Sequence, residues 1–251
     1  MKRSAALILV VCLLGWSVTA FGQDVPSDAE TILERVRSGW QGDSFHAVLE
    51  LEITLAGATK QHSLEVWTYG EDYVLMRILA PEIDEGSGYL QIADDLWFYS
   101  PSVGVSIPLP SMGLSKALFG SGPSLEDLSQ GTLSDDYEVT AETQTDEVGA
   151  ITAYVLTLIP HADAPVVYGK LVLTASPDYV IRELVYFDQR DTIIRTATFA
   201  NVVFVGEAAF PTEVLIVDSN GDQTVQRILE PEFDIPIDET FFTLERLEGA
   251  E

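Results

Sequence analysis

The sequence contains very little cysteine and histidine. Its 251 residues include one cysteine, Cys12, and three histidines, His46, His62 and His161. Cys12 lies in an N-terminal apolar segment that we expect to be removed, so the mature chain has no thiol for disulfides, thiolate catalysis or metal binding. The histidines lack the spacing of metal ligands, and we expect each to be an ordinary strand or loop residue. We therefore expect neither a metal nor a cofactor.

Positive charge is also scarce. The chain has 13 Lys and Arg against 40 Asp and Glu, a formal net charge of −27. Removal of residues 1–22 would take away Lys2 and Arg3 and no acid, which leaves 11 − 40 = −29. A field of this sign repels phosphate backbones, so we exclude nucleic acid as a partner. The acidic residues are scattered along the chain, as on a solvated surface.

Long apolar runs are absent except at the N-terminus. Two basic residues precede an apolar stretch from Ala5 to about Trp16, and small residues follow it. This pattern is typical of a cleavable secretory signal peptide, and the stretch is too short for a transmembrane helix. We expect residues 1–22 to be the signal peptide and residues 23–251 to form one exported domain.

The signatures of common enzymes are missing as well. The chain has no G-x-S-x-G, no P-loop and no H-E-x-x-H. Residues 218–222, DSNGD, begin like a calcium loop, but Gln223 stands where glycine is required and Leu229 where glutamate is required. Acidic pairs such as Asp94–Asp95 fall at turns, and among 40 acids such pairs arise by chance. We expect the protein not to be an enzyme.

The alternation typical of β-strands is abundant. Residues 45–55 alternate apolar and polar side chains, and similar segments follow, separated by Gly, Pro, Asn and Asp. Asn220-Gly221 is the strongest hairpin signal. One helix is expected over residues 27–40, with a capping box formed by Ser27 and Glu30. This order predicts a mainly β chain of roughly eleven or twelve strands in a single curved antiparallel sheet or barrel.

The strand pattern breaks after residue 110. Residues 111–130 are rich in Gly and Ser with few apolar residues. We expect a long loop with two short helical turns, the second of which begins near Ser124. A loop of this length is available to cover part of the sheet.

Aromatic and aliphatic residues crowd the segment 67–99, which ends with Trp97, Phe98 and Tyr99. One face of a curved sheet must be covered by a helix, a loop or a ligand. Either the helix and the loop fill the interior, or an apolar cleft remains. Alternation places Trp97 and Tyr99 on one face and Phe98 on the other. We expect Trp97 and Tyr99 to face the hollow and Phe98 to lie on the outer side.

Three stretches resemble the outer-membrane lipoprotein-sorting (LolA-like) family, which is related to the periplasmic lipoprotein carrier. They are GSGYLQIADDLWFYSPSVGVSIPLP at 86–110, GSGPSLEDL at 120–128 and IPIDETFFTLERLE at 235–248. The family pattern is a Gly-x-x-Tyr/Leu strand, a Trp-x-Tyr-x-Pro strand end, a Gly-Ser loop ending in Asp-Leu, and a C-terminal Phe-Thr-Leu strand. The order and spacing of these motifs, over essentially the whole mature chain, carry the resemblance.

The resemblance implies an unclosed barrel of about eleven antiparallel strands, covered by the N-terminal helix and a short helical lid. It implies a periplasmic carrier that shields lipid or lipoprotein acyl chains in an apolar cavity, without a cofactor. Each CH₂ group kept from water is worth about 0.8 kcal/mol. The expected partners are acyl chains and an inner-membrane transporter, with an outer-membrane acceptor as a further candidate, and the carrier itself is expected to be a monomer.

The resemblance also implies a binding site and a residue that closes it. The candidate lining of the apolar cavity is Leu75, Tyr89, Trp97, Tyr99, Leu118 and Phe119. In the better-known carriers, an arginine on an early strand bonds to the lid backbone and keeps the empty state closed, and Arg77 is the nearest candidate. The alternative for Arg77 is a simple strand-surface arginine with an acidic neighbour.

The chain departs from the family pattern at two places. Gly122 stands where the family often has Asp, and no basic residue follows the Tyr-x-Pro motif until Lys116. These departures leave open whether the cargo is a lipoprotein or another lipid. The alternative function is an accessory, protein-binding subunit of an envelope lipid exporter, and a third is a hydrolase. An apolar hollow would favour carriage, a filled interior the accessory role, and a buried carboxylate pair in a cleft the hydrolase.

Overall fold

The computed structural model describes residues 28–249, except 40, 41, 71, 111, 112, 114, 115, 121, 126, 128–132, 134, 135, 165 and 207. The expected signal peptide at 1–22 and the cysteine within it lie outside the described residues. Within the described residues, no helix has both the length and the hydropathy needed to span a bilayer.

The first element of the described residues is helix α1, Ala29–Ser38, which confirms the expected helix. Its N-cap is Asp28, whose carboxylate accepts a hydrogen bond from the amide of Thr31 at 2.7 Å. The expected capping box depends on Ser27, which lies outside the described residues. Ile32, Leu33 and Val36 form its buried stripe. The helix therefore presents one apolar face to the sheet.

The described residues form thirteen β-strands, where about eleven were expected. The first six are β1 (Ser44–Leu55), β2 (Ala58–Tyr69), β3 (Tyr73–Ala80), β4 (Gly88–Ile92), β5 (Asp95–Tyr99) and β6 (Ile107–Leu109). The other seven are β7 (Tyr137–Thr145), β8 (Ile151–Pro160), β9 (Lys170–Ala175), β10 (Ile181–Phe187), β11 (Ile193–Val205), β12 (Ala208–Asp218) and β13 (Gln223–Phe233). A short helix, α2 (Leu244–Leu247), follows them.

All thirteen strands belong to one antiparallel sheet, in the order β6-β5-β4-β3-β2-β1-β13-β12-β11-β10-β9-β8-β7. Two meanders, β1–β6 and β7–β13, are joined by the pairing of β1 with β13. The edges are β6 and β7, which pair with each other nowhere in the described residues. The sheet is therefore the unclosed antiparallel barrel that the resemblance implied, and residues 110–136 connect its two edges.

Cross-strand pairing defines two faces of the sheet. Leu51 of β1 lies opposite Gln226 of β13, which lies opposite Val214 of β12, so one face runs continuously across both meanders. Helix α1 and the described residues between positions 118 and 127, which we call the covering segment, pack on this face. We call it the inner face and the opposite side the outer face.

Three apolar clusters stabilise the domain. The first lies on the inner face between α1 and strands β7–β12. The second lies on the inner face of β1–β3, beneath Leu118 and Leu125 of the covering segment. The third lies on the outer face of β3–β5, beneath the C-terminal residues 237–247. Each fully buried Leu or Phe side chain contributes roughly 1.5–3 kcal/mol.

The hairpin expected at Asn220-Gly221 joins β12 to β13. Gly221 has a φ of 83°, which favours glycine. The Asp218 carboxylate accepts hydrogen bonds from the amides of Asn220 and Asp222, at 2.8 and 3.1 Å. The stretch that begins like a calcium loop is thus a turn whose first carboxylate bonds to the backbone.

Candidate functional site

The six candidate lining residues lie on opposite sides of the sheet. Three belong to the inner-face cluster beneath the covering segment, namely Tyr89, Leu118 and Phe119. The other three belong to the outer-face cluster, namely Leu75, Trp97 and Tyr99. The six residues therefore form two separate groups of three, one on each face of the sheet, and do not line a single cavity.

The orientation expected for the three aromatic residues of β5 is reversed in the structure. Phe98 pairs with Tyr89 of β4, and their ring centroids are 4.9 Å apart. Because Tyr89 lies on the inner face, Phe98 faces inward and Trp97 faces outward, where it pairs with Leu90. Alternation along the strand places Phe98 on the face opposite to Trp97 and Tyr99. The direction in which the sheet curves decides which of these two faces is the inner one.

The C-terminal residues cover the outer-face cluster. The family pattern implied a strand here, but the chain forms a 3₁₀ turn at Glu239–Phe241 followed by α2. Side chains cap both elements: Asp238 accepts from the amide of Thr240, and Thr243 accepts from the amide of Arg246. These caps favour helical turns over a strand.

Arg77, the candidate lid-closing residue, lies next to this C-terminal cover. Its Nη2 donates a hydrogen bond to the backbone carbonyl of Arg246 in α2 at 2.7 Å. Arg77 therefore bonds to the backbone of a covering element, although that element lies over the outer face. Its role in closing an empty carrier stays a prediction.

Arg77→Met should loosen α2 locally. We expect the free energy of unfolding to fall by about 1 kcal/mol, because one hydrogen bond is lost while the aliphatic stem is kept. Urea denaturation measures the loss, and hydrogen exchange should show faster exchange of the α2 amides. Arg190→Met, at an exposed turn residue, is the matched control and should change neither. Unaltered α2 exchange in Arg77→Met would contradict the assigned contact.

The covering segment packs on the inner face through apolar and aromatic side chains. Leu118 and Leu125 are 6% and 1% exposed. Phe119 stacks on His62 of β2, with ring centroids 4.0 Å apart and planes at 20°. Burial lowers the pKa of His62, with a smaller opposing effect from Asp84, so the stacked imidazole is neutral at neutral pH.

Ser124 begins the second helical turn of this segment, as expected. Asp127 Oδ2 accepts hydrogen bonds from the Ser124 amide at 2.8 Å and from its hydroxyl at 2.9 Å. The Asp127 amide donates in return to Ser124 Oγ at 3.0 Å. This reciprocal arrangement is a capping box, and it presents the Asp127 carboxylate to the sheet.

Asp127 is bonded to the inner face by Arg195 of β11. The Nη1–Oδ2 and Nη2–Oδ1 distances are both 2.9 Å, a bidentate ion pair. The Tyr186 hydroxyl donates to Oδ1 at 3.0 Å, and Arg195 Nη2 donates to the Tyr168 hydroxyl at 3.1 Å. The Arg195 and Asp127 side chains are only 11% and 13% exposed. The covering segment is thus joined to the second meander by a buried polar network.

The Asp127–Arg195 pair at the centre of this network is charged at neutral pH. Burial raises the pKa of Asp127, but the Arg195 guanidinium outweighs burial and holds that pKa below its usual value. Burial lowers the pKa of Arg195, yet the Asp127 carboxylate raises it overall. Burial raises the pKa of Tyr186 well above its usual value, so its phenol stays protonated and donates. The guanidinium also lies 3.8 Å from the Tyr186 ring centroid.

Arg195 was not among the residues selected from the sequence. The sequence does indicate that Arg195 faces inward. Residues two positions apart on a strand lie on the same face, and Ala197 and Phe199 face inward. An arginine at an inward position of an apolar strand requires a partner. The identity of that partner, 68 residues away, is visible only in the structure.

Solved structures share this fold. A putative outer membrane lipoprotein-sorting protein domain from Vibrio parahaemolyticus is 19% identical, with 88% of this chain and 98% of that chain covered and a TM-score of 0.74. A LolA superfamily protein from Nitrosomonas europaea is 20% identical, with 88% and 100% covered and a TM-score of 0.74. A DUF1329 family protein from Desulfovibrio piger is 17% identical, with 86% and 96% covered and a TM-score of 0.76. The LolA-like resemblance is confirmed at the level of the fold.

A family model described as "Uncharacterized protein" matches residues 70–249, and the chain belongs to this family. The matched region starts at the end of β2 and ends just after α2. It therefore includes strands β3–β13, the covering segment and the C-terminal cover, and it leaves out α1, β1 and β2. No curated protein matches the sequence.

Proposed function

We propose that the protein is a periplasmic carrier that holds the acyl chains of lipoproteins or other lipids on the inner face of its sheet. One observation carries the proposal: the apolar inner face of β1–β3 is covered by a short segment that is joined to the sheet by a polar network. Release of the Asp127–Arg195 pair would free the covering segment while both meanders stay paired. The inner face would then be open to an acyl chain.

Acyl chains can replace the covering segment energetically. Leu118, Phe119 and Leu125 together offer the sheet roughly 5–9 kcal/mol of apolar burial. An acyl chain of about 15 methylene groups offers roughly 12 kcal/mol, at about 0.8 kcal/mol for each group. A lipid therefore competes with the covering segment, whereas a small polar molecule does not.

The proposed cycle uses binding and release alone. It needs no catalytic residue, and no three His, Cys, Asp or Glu among the described residues form a group that could hold a metal. The carrier would enter the periplasm with a signal peptide at residues 1–22 and act as a monomer. It would receive its cargo from an inner-membrane transporter and could deliver it to an outer-membrane acceptor. A similar fold in a protein named for lipoprotein sorting supports this assignment.

An accessory subunit that binds protein and carries no free lipid is the second candidate. Packing favours it, because Leu118 and Leu125 of the covering segment are 6% and 1% exposed and already cover the inner face of β1–β3. In this candidate the covering segment stays in place. The two candidates thus differ in whether that segment moves.

Binding of a fluorescent fatty acid distinguishes the candidates. Asp127→Asn keeps the shape of the side chain but removes the charge that holds Arg195, so opening costs less free energy. We expect a fluorescent fatty acid to bind this variant about tenfold more tightly than the wild type, a difference of about 1.4 kcal/mol. Asp94→Asn, at an exposed turn residue, makes the same charge change and should leave the affinity unaltered.

Native mass spectrometry of protein purified from a lipid-rich host completes the test. We expect lipid to co-purify with the wild type. Absence of any co-purified lipid, together with no fatty-acid binding, would overturn the carrier and favour the accessory role. Equal affinities in Asp127→Asn and Asp94→Asn would show that the covering segment does not control access to the inner face.

A further inference from the structure

A second opening lies at the C-terminal end of α1. A cavity of about 770 Å³ separates this end of the helix from strands β10–β12. A neighbouring cavity of about 320 Å³ shares part of its lining, namely Ser38, Gly39 and Ala208. The second cavity reaches Val205 and Phe233, which pack against the inner-face cluster. The two cavities, which we call the rim cavity, thus lead from the surface to the inner face and have the size of ligand pockets.

Arg35 is held in position on one wall of the rim cavity. Its Nη1 donates to the Tyr179 hydroxyl at 3.1 Å, and its guanidinium carbon lies 5.0 Å from the centroid of the Tyr179 ring. Tyr179 stacks on Tyr154, with centroids 5.2 Å apart and planes at 7°, and Tyr154 is 2% exposed. A guanidinium has five N–H donors, so the contact with Tyr179 leaves donors for a ligand.

Tyr179 adopts an unusual backbone conformation at this place. Its φ is 63°, in the left-handed region that bulky side chains seldom occupy. The turn holds it there, since the Tyr179 amide donates to the Ser176 carbonyl at 2.9 Å. Residues in such conformations are concentrated at ligand-binding and catalytic sites. The conformation places the ring between the buried Tyr154 and the exposed Arg35.

Arg182 reaches the same cavity because β10 contains a bulge. The pairing of β10 with β9 shifts between Ile181 and Glu183, so Arg182 is the extra residue of the bulge. A bulge redirects the side chain of its extra residue. Arg182 lines the cavity and is exposed to solvent. Two guanidinium groups on separate elements thus line one cavity.

The opposite wall of the rim cavity is apolar. Val202 and Phe204 of β11 line it, and Phe204 is 77% exposed. The larger cavity has one carboxylate, Asp178, against the two arginines, and the neighbouring cavity contains a second carboxylate, Asp234. In a chain with a net charge of −27, the excess of positive charge in the larger cavity fits an anion attached to an apolar chain.

We propose that the rim cavity binds an anionic amphiphile, with a phosphate or carboxylate head group on Arg35 and Arg182 and its acyl chain on Val202 and Phe204. This inference rests on the proposed carrier function and adds to it the charge of the cargo head group. Guanidinium groups bind both anions through paired hydrogen bonds. The neighbouring cavity then offers the acyl chain a path toward the inner face.

Calorimetric titration of the mature chain tests the inference, with lipids kept below their critical micelle concentrations. The probes are myristoyl-lysophosphatidylglycerol, which is anionic, myristoyl-lysophosphatidylcholine, which has the same acyl chain and a zwitterionic head, myristate and inorganic phosphate. We expect the wild type to bind the lysophosphatidylglycerol at least tenfold more tightly than the lysophosphatidylcholine. Comparison of the lysophosphatidylglycerol with myristate then tells which anion is preferred. Inorganic phosphate, which lacks the chain, should bind at least a hundredfold more weakly.

Three arginine variants test which side chains cause the preference for the anionic lysophospholipid. Arg35→Gln and Arg182→Gln should each weaken binding of the lysophosphatidylglycerol five- to tenfold and leave the lysophosphatidylcholine unaffected. Arg190→Gln, at the exposed turn at the other end of β10, is the matched control and should change neither affinity. Phe204→Ser should weaken both lipids equally. Because Arg182 is an exposed bulge residue, its variant should keep the wild-type Tm and carries the test even if Arg35→Gln disturbs α1.

The outcomes separate this inference from the carrier function. Equal binding of the two lysophospholipids, or equal effects of all three arginine variants, would overturn the head-group assignment and leave the carrier standing. Inorganic phosphate binding as tightly as the lysophosphatidylglycerol would overturn the amphiphile as the ligand. Failure of every lipid to bind would overturn both proposals.

Discussion

Arg195→Met should lower the free energy of unfolding by about 3–5 kcal/mol, measured by urea denaturation. The substitution removes both hydrogen bonds to Asp127 and leaves that carboxylate largely buried without its counter-ion. Breaking one side of a buried ion pair costs this much, because the remaining charge has lost both water and its partner. Methionine fills most of the volume of the arginine stem. The decrease in the free energy of unfolding is therefore caused by the lost charge and not by a cavity.

The double variant Asp127→Leu with Arg195→Met is the matched control. It removes both charges, so no uncompensated charge remains, and we expect it to recover to within about 2 kcal/mol of the wild type. About 1 kcal/mol of the remaining loss is the capping box, because the Ser124 amide loses its acceptor. A double variant less stable than Arg195→Met would contradict the assignment of the loss to an unpaired charge.

Acid provides a second measurement of the same pair. The pKa of Asp127 is lowered in the folded state from an ordinary value of 3.8. A lowered folded-state pKa means that the contribution of the pair is present above about pH 4 and is lost as the pH falls further. The wild type should therefore lose more stability below pH 4 than Asp127→Asn, which has no carboxyl at this position. Parallel stability curves for the two proteins would contradict the lowered pKa.

Phe242→Ala should lower the free energy of unfolding by about 3–5 kcal/mol, the usual cost of removing a buried phenylalanine. Phe242 is 3% exposed and lies over Leu75 and Leu90 of the outer-face cluster. Its ring centroid is 5.4 Å from that of Tyr73 and 5.3 Å from that of Phe241. Removal of the ring would leave a cavity between the C-terminal residues and the sheet.

Leu244→Ala is the matched control for this substitution, because Leu244 is only two residues away but 38% exposed. We expect it to cost less than about 1 kcal/mol. Affinity for a fluorescent fatty acid should stay the same in both variants, since the outer face takes no part in the proposed carriage. If Phe242→Ala is fully folded under the assay conditions and still binds the fatty acid more weakly, the result would instead support Leu75, Trp97 and Tyr99 as cavity residues.

Local patterns predicted most of the architecture. The helix at 29–38, the Asn220-Gly221 hairpin and the turn that begins at Ser124 were all expected, because each depends on residues within about four positions of one another. The alternation of residues 45–55 was sufficient to assign one face of β1 to the core. The order of the strands predicted a single curved sheet or barrel, and the resemblance to the LolA-like family added that the barrel is unclosed.

The candidate site was predicted only in part, because local patterns depend on residues close in sequence and the site also depends on residues far apart in sequence. Alternation along β5 divides Trp97 and Tyr99 from Phe98, and the sequence by itself determines that division. Which set faces inward depends on where α1, the covering segment and the C-terminal residues pack, and the tertiary structure alone decided it. The same holds for Asp127 and Arg195, which are 68 residues apart and meet because thirteen strands curve into one sheet. Pairing over such a distance depends on the packing of the whole sheet and leaves no periodic pattern in the sequence.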